Sequence, residues 1–110
     1  MNRRWFWGRI LSSIGVLAAV LVLNASNYAL IDTIPVDVAP EELAVSPDGK
    51  RVYVTNPGDY SVSEIRTSTN TVLKTIDLGF YTRDVVVSPD GSRAYVTVSG
   101  TDELVVLQLV

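Results

Sequence analysis

Any chemistry in this sequence has to be done with carboxylates, hydroxyls and a few cations. The chain has twelve acidic and nine basic residues but no histidine and no cysteine, and its one methionine is Met1. Thiol and imidazole metal sites are therefore excluded, as is a nucleophile activated by a histidine base. What remains is a carboxylate pair, which needs two side chains converging from distinct strands. Glu41 and Glu42 are adjacent, so on a strand they point to opposite faces. Asp37 and Glu41 fall in a connecting segment, where carboxylates are normally solvated. Asp48-Gly49 and Asp90-Gly91 lack the surrounding acids of a calcium loop. The reading is of a chain with no catalytic residues, no metal and no cofactor.

The elements that would position these side chains come from an internal repeat. Val45-Ser46-Pro47-Asp48-Gly49-Lys50-Arg51-Val52-Tyr53-Val54-Thr55 returns 42 residues later as Val87-Ser88-Pro89-Asp90-Gly91-Ser92-Arg93-Ala94-Tyr95-Val96-Thr97. At the same offset Thr33-Ile34 matches Thr75-Ile76, and Gly58 matches Gly100. In each copy a short apolar run, Glu42–Ser46 or Asp84–Ser88, ends in Pro-Asp-Gly. Proline fixes φ at the first corner, aspartate bonds its own backbone, and glycine takes the positive φ. Ser46, Pro47, Asp48 and Gly49, with Ser88, Pro89, Asp90 and Gly91, therefore read as hairpin turns feeding the β-branched runs after them. Further strands are expected at Ser61–Arg66, Glu103–Val110, Thr71–Asp77 and Leu30–Val36.

Four short antiparallel strands per period of 42 residues is the pattern of a propeller blade. Val85-Val86-Val87 and Leu104-Val105-Val106-Leu107 are apolar on both faces, as sheets sandwiched between neighbours are. The expected fold is all-β: two four-stranded antiparallel propeller-type blades, about 31–76 and 77–110, the second without its fourth strand. An N-terminal hydrophobic helix is expected to precede them.

The segments Val45–Asn56 and Val87–Val98, with Tyr53-Val54-Thr55-Asn56, resemble the YVTN-family β-propeller repeat of surface-layer and YncE-like proteins. The resemblance covers essentially all of residues 30–110. It implies a ring of about seven blades, an exported or cell-surface location, and a binding or structural role; some similar propellers are lactonases or carry redox cofactors. Three features depart from the pattern. Glu64 stands where the repeat usually has an apolar residue and where the second copy has Val106. Val98 replaces Asn56. Only two copies are present. If Glu64 is buried between blades, Glu64→Val should stabilise the fold; a neutral or destabilising effect would show that it faces solvent or a partner.

The N-terminus carries Arg3, Arg4 and Arg9 without an acid, then an apolar run from Ile10 to Leu23, then small polar residues through Ala29. That is the layout of a secretory signal peptide over residues 1–29. A retained membrane anchor is the alternative, although the 14-residue run falls short of the roughly 20 residues of a spanning helix. Arg3-Arg4 also fits a twin-arginine leader. Removing residues 1–29 leaves six bases against twelve acids, a net charge of −6, which disfavours nucleic acid as a partner.

Two blades cannot surround a channel, since propellers close with roughly four to eight. Each would leave an apolar face without a neighbour. Three outcomes follow: a ring assembled from several copies, a fragment of a longer propeller protein, or pairing with another repeat protein. The expected partner is thus a protein or a second copy, with membrane contact only through residues 1–29. Propellers bind through loops at one end of the channel, which makes Asn56, Asp59, Tyr60, Thr101 and Asp102 the candidate contacts.

Overall fold

The computed structural model describes residues 8–12, 18–101 and 103–109. Among the described residues ten strands form three antiparallel sheets. The N-terminal sheet holds β1 (Gly8–Ser12), β2 (Ala18–Leu23) and β3 (Leu30–Val36) in that order. The central sheet runs β4 (Leu43–Val45), β5 (Arg51–Asn56), β6 (Ser61–Arg66) and β7 (Thr71–Asp77). The C-terminal sheet holds β8 (Tyr81–Val87), β9 (Arg93–Ser99) and β10 (Leu104–Gln108). A 3-10 turn, Pro57–Asp59, joins β5 to β6.

Two sequence expectations change. The described residues form three sheets rather than two, and the hydrophobic helix is absent from them. Gly8–Ser12 and Ala18–Leu23 are strands, paired with each other and, through β2, with β3. Residues 1–7 and 13–17 of the expected helix lie outside the described residues. The physical reason is packing: Ala18-Ala-Val-Leu-Val-Leu23 has partners on both edges, and Val20 and Val22 are buried against the central sheet. Among the described residues no helix is long and apolar enough to cross a membrane.

The core is two layers, one on each face of the central sheet. Val20, Val22 and Ile34 of the N-terminal sheet meet Val52, Val54 and Ile65, with Val36 and Leu43 at the margin. On the opposite face Tyr53 and Val62 meet Val85, Ala94, Val96 and Val98 of the C-terminal sheet. Alternation along β5 thus sends neighbours into different layers, which is why the run reads as apolar throughout.

The repeated turn is built the same way twice. Ser46 Oγ donates to Asp48 Oδ1 at 2.7 Å, and that oxygen also accepts from Lys50 N–H at 2.9 Å. Ser88 and Ser92 do the same around Asp90, with Ser88 Oγ at 2.7 Å and Ser92 N–H at 3.0 Å. Gly49 and Gly91 take the required left-handed φ, +73° and +75°. These hydrogen bonds hold both carboxyls below the usual range. Backbone donation from Lys50 is the main cause at Asp48. The Ser88 hydroxyl is the main cause at Asp90, which is lowered to about 2. A carboxyl depressed on folding contributes stability above its unfolded pKa and loses it as pH falls through the folded one. The Asp48→Ala/Asp90→Ala double variant should therefore show a shallower loss of thermal stability between about pH 4 and pH 2 than the parent chain.

Thr55 and Thr97 have a matching structural task. Thr55 Oγ1 accepts from Glu42 N–H at 3.0 Å, and Thr97 Oγ1 accepts from Asp84 N–H at 3.0 Å. The first bond ties the residue just before β4 to β5, and the second bridges the register shift between Thr82 and Val85 in the β8–β9 pair.

Candidate functional site

Two polar clusters stand out. The first lies between the central and C-terminal sheets. Cross-strand register aligns Tyr53, Glu64 and Lys74 in one row across β5, β6 and β7. Glu64 is only 8% exposed. It accepts a 2.8 Å hydrogen bond from the Tyr53 hydroxyl, with Arg51 Nε and Lys74 Nζ each 3.9 Å from a carboxylate oxygen. Burial, followed by the bond to Glu64, pushes the Tyr53 phenol above its ordinary pKa. The phenol therefore stays a proton donor across the physiological range. A cleft of about 590 Å³ opens beside this group, and the Pro47-Asp48 and Asp90-Gly91 turns form its rim. Glu64 is thus buried between sheets, as its position implies, but it is fully engaged. In the C-terminal sheet the corresponding row is Val86, Tyr95 and Val106, with no carboxylate.

The second cluster lies where the chain leaves the N-terminal sheet. Asp37, just after β3, comes to lie beside Asp59 of the 3-10 turn, with the Thr75 and Ser61 hydroxyls in reach. Burial, then the neighbouring Asp59 charge, raises the Asp37 pKa. These two carboxylates do converge from distinct elements, which the sequence did not reveal. Among the described residues no group of three or more metal-ligating side chains stands with them. A carboxyl raised on folding destabilises the fold once pH rises through its folded pKa. Asp37→Asn should therefore stabilise the fold at pH 7 by less than about 1 kcal/mol for so solvent-screened a pair, read as a small rise in the thermal midpoint. The gain should vanish near pH 3.

The loop residues singled out in the sequence fall in different settings. Asn56 is fully buried, and its Nδ2 donates to Ser63 Oγ at 2.9 Å and Ser61 Oγ at 3.3 Å. It braces the ends of β5 and β6 rather than meeting solvent. Its counterpart Val98 lies in an apolar layer that also takes in Val105, the counterpart of Ser63, so the departure at this position goes with a second change from polar to apolar. Asp59 is exposed and accepts from Ser61 Oγ at 3.4 Å. Tyr60 is half exposed in a left-handed conformation, φ +56°. Thr101 is partly buried, and Asp102 lies outside the described residues. Asp59 and Tyr60 thus remain together at one accessible corner, while Asn56 does not join them.

Stacked antiparallel sheets in this order define a β-propeller-type fold, and comparison with solved structures agrees. The Kuenenia stuttgartiensis hydrazine synthase structure superposes with a TM-score of 0.80 at 32% identity, covering 83% of this chain and 26% of that one. The dihydro-heme d1 dehydrogenase NirN, solved in complex with DHE, gives a TM-score of 0.73 at 27% identity, covering 82% of this chain and 19% of that one. Both are β-propeller proteins. The chain spans about a quarter or less of the length of these structures. No protein-family model and no curated protein sequence matches it.

Proposed function

We propose that this chain is an exported, non-catalytic β-propeller repeat protein of the YVTN type, with a binding or structural role at the cell surface or in the periplasm. Residues 1–29 serve as its leader, cleaved on export or kept as an anchor. The ring is completed by association with further copies. The observation that carries this reading is the unequal treatment of equivalent faces. The central sheet is covered on both sides, whereas Val86, Leu104 and Val106 of the C-terminal sheet face solvent at 62%, 52% and 52% exposure. An apolar face of this kind on a repeat protein is a stacking or docking surface. The Ser-Pro-Asp-Gly and Tyr-Val-Thr residues support the family assignment, and in this chain their side chains build turns and strand junctions rather than a reaction centre.

The test has two readouts. Intact mass of the protein recovered outside the cytoplasm distinguishes a chain that begins near residue 27 or 30 from one that begins at Met1. Light scattering on the folded protein then gives the assembly size. A discrete oligomer supports the ring, and retention inside the cell overturns the exported reading. A second reading, in which the blades belong to a larger ring, is favoured by the small share of the hydrazine synthase and NirN chains that this one covers.

A further inference from the structure

Positions 42 residues apart hold the same place in successive sheets. Val20, Val62 and Leu104 form one such set, and Val22, Glu64 and Val106 another. Val62 and Glu64 are buried beneath the C-terminal sheet, and Val20 and Val22 are buried against Val52, Val54 and Ile65. Leu104 and Val106 alone in these sets face solvent. Strand pairing shows the same equivalence. β3 pairs with β2 through Val20↔Ile34 and Val22↔Asp32, and β7 pairs with β6 through Val62↔Ile76 and Glu64↔Lys74. β10, the third strand of the set, is an edge strand among the described residues, with β9 on one side.

We propose that β2 occupies, within its own chain, the place of β10 from a second copy. The proposal rests on the exported reading, in which residues 1–29 are removed. Removal uncovers the Leu43, Val52, Val54 and Ile65 face of the central sheet and frees one edge of β3. The Val86, Leu104 and Val106 face of another copy then seats on it, and β3 adds to the open edge of that copy's β10. Strand addition of this kind satisfies the unpaired backbone of both edges. A second copy is the occupant because this face-to-face contact already recurs twice along the chain, and the exposed face continues the series. Leu43, Val52, Val54 and Ile65 on the uncovered face and Val86, Leu104 and Val106 on the docking face are all apolar; the charged groups nearest them are Asp32, already held by Asn70 Nδ2 at 3.1 Å, and the exposed Arg93. The two halves lie on different sheets of one chain. The contact is therefore head-to-tail and closes into a ring when the rotation per copy divides a full turn. Until the leader is cut, β2 holds the chain in a form that does not assemble.

The register is specific: Leu104↔Ile34, Val105↔Thr33 and Val106↔Asp32 between copies. The chain has no cysteine, which makes Thr33→Cys with Val105→Cys a clean reporter, since facing antiparallel residues lie within disulfide reach. A protease site placed in the exposed turn at 26–29 of this variant lets the full chain fold before it is cut. The expected result is no inter-chain disulfide before cutting and a ladder of linked copies afterwards. Val106→Glu, at an exposed position, should abolish the ladder without changing the circular dichroism of the uncut chain. The proposal is overturned by a cut chain that stays at one-copy mass or unfolds. It is equally overturned by linkage that is the same before cutting, or that ignores Val106→Glu. A secreted chain that still begins at Met1 would defeat the exported, cleaved reading by itself, and the cut-chain result would stand apart from it.

Discussion

Glu64→Val is expected to destabilise the protein by about 1–3 kcal/mol, the opposite of what its place in an apolar position suggests. The Tyr53 hydroxyl is buried, and Glu64 Oε2 at 2.8 Å is its acceptor. Valine removes that acceptor and leaves a desolvated donor behind. The neighbouring cations decide little. Lys74 is well exposed and Arg51 about a third exposed, each at 3.9 Å, and such pairs contribute roughly 0–1 kcal/mol. The hydrogen bond and the ion pairs can therefore be separated. Tyr53→Phe alone leaves a buried carboxylate without its closest donor and should cost a similar amount. Tyr53→Phe/Glu64→Val removes both halves and should recover most of the loss, giving a coupling of about 1.5–3 kcal/mol. Urea denaturation of the four chains measures it. Additive losses would show that the bond contributes nothing to the fold and that Glu64 is merely tolerated.

The turns were legible because their chemistry is local. Ser-Pro-Asp-Gly specifies its own hydrogen bonds within five residues, and the strands after it are β-branched and aromatic. Glu64 was legible as an anomaly, but not its solution. Its partners are set by register, including a shift between Glu64 and Ile65 that aligns Lys74 rather than Leu73 with the carboxylate. Asp37 and Asp59 are 22 positions apart, and only the packing of the N-terminal sheet on the central one brings them together. The apolar run from Ile10 to Leu23 was the least legible. A short apolar stretch reads equally as a leader or as buried strands, because periodicity alone does not separate them. Its match to the repeat is carried by aliphatic character at Val20 and Val22, with none of the Pro-Asp-Gly punctuation that marks the later copies.

The largest loss among single substitutions is expected at Ile65→Ala. Ile65 is 1% exposed and stands in the layer shared by the N-terminal and central sheets, with Val20, Val22, Ile34, Val52 and Val54 around it. Truncation removes three methyl or methylene groups and leaves a cavity that two facing sheets cannot easily close. The cost should be about 2–5 kcal/mol, a fall in thermal midpoint of roughly 4–8 °C per kcal/mol for a domain of this size. Leu107, 42 residues on, holds the same place in the C-terminal sheet but is only partly buried. Leu107→Ala should therefore cost clearly less, although the two residues remove the same number of carbons. Thermal melts of both variants decide the point. Equal losses would mean that Leu107, at the margin of the layer between the central and C-terminal sheets, is as well covered in solution as Ile65.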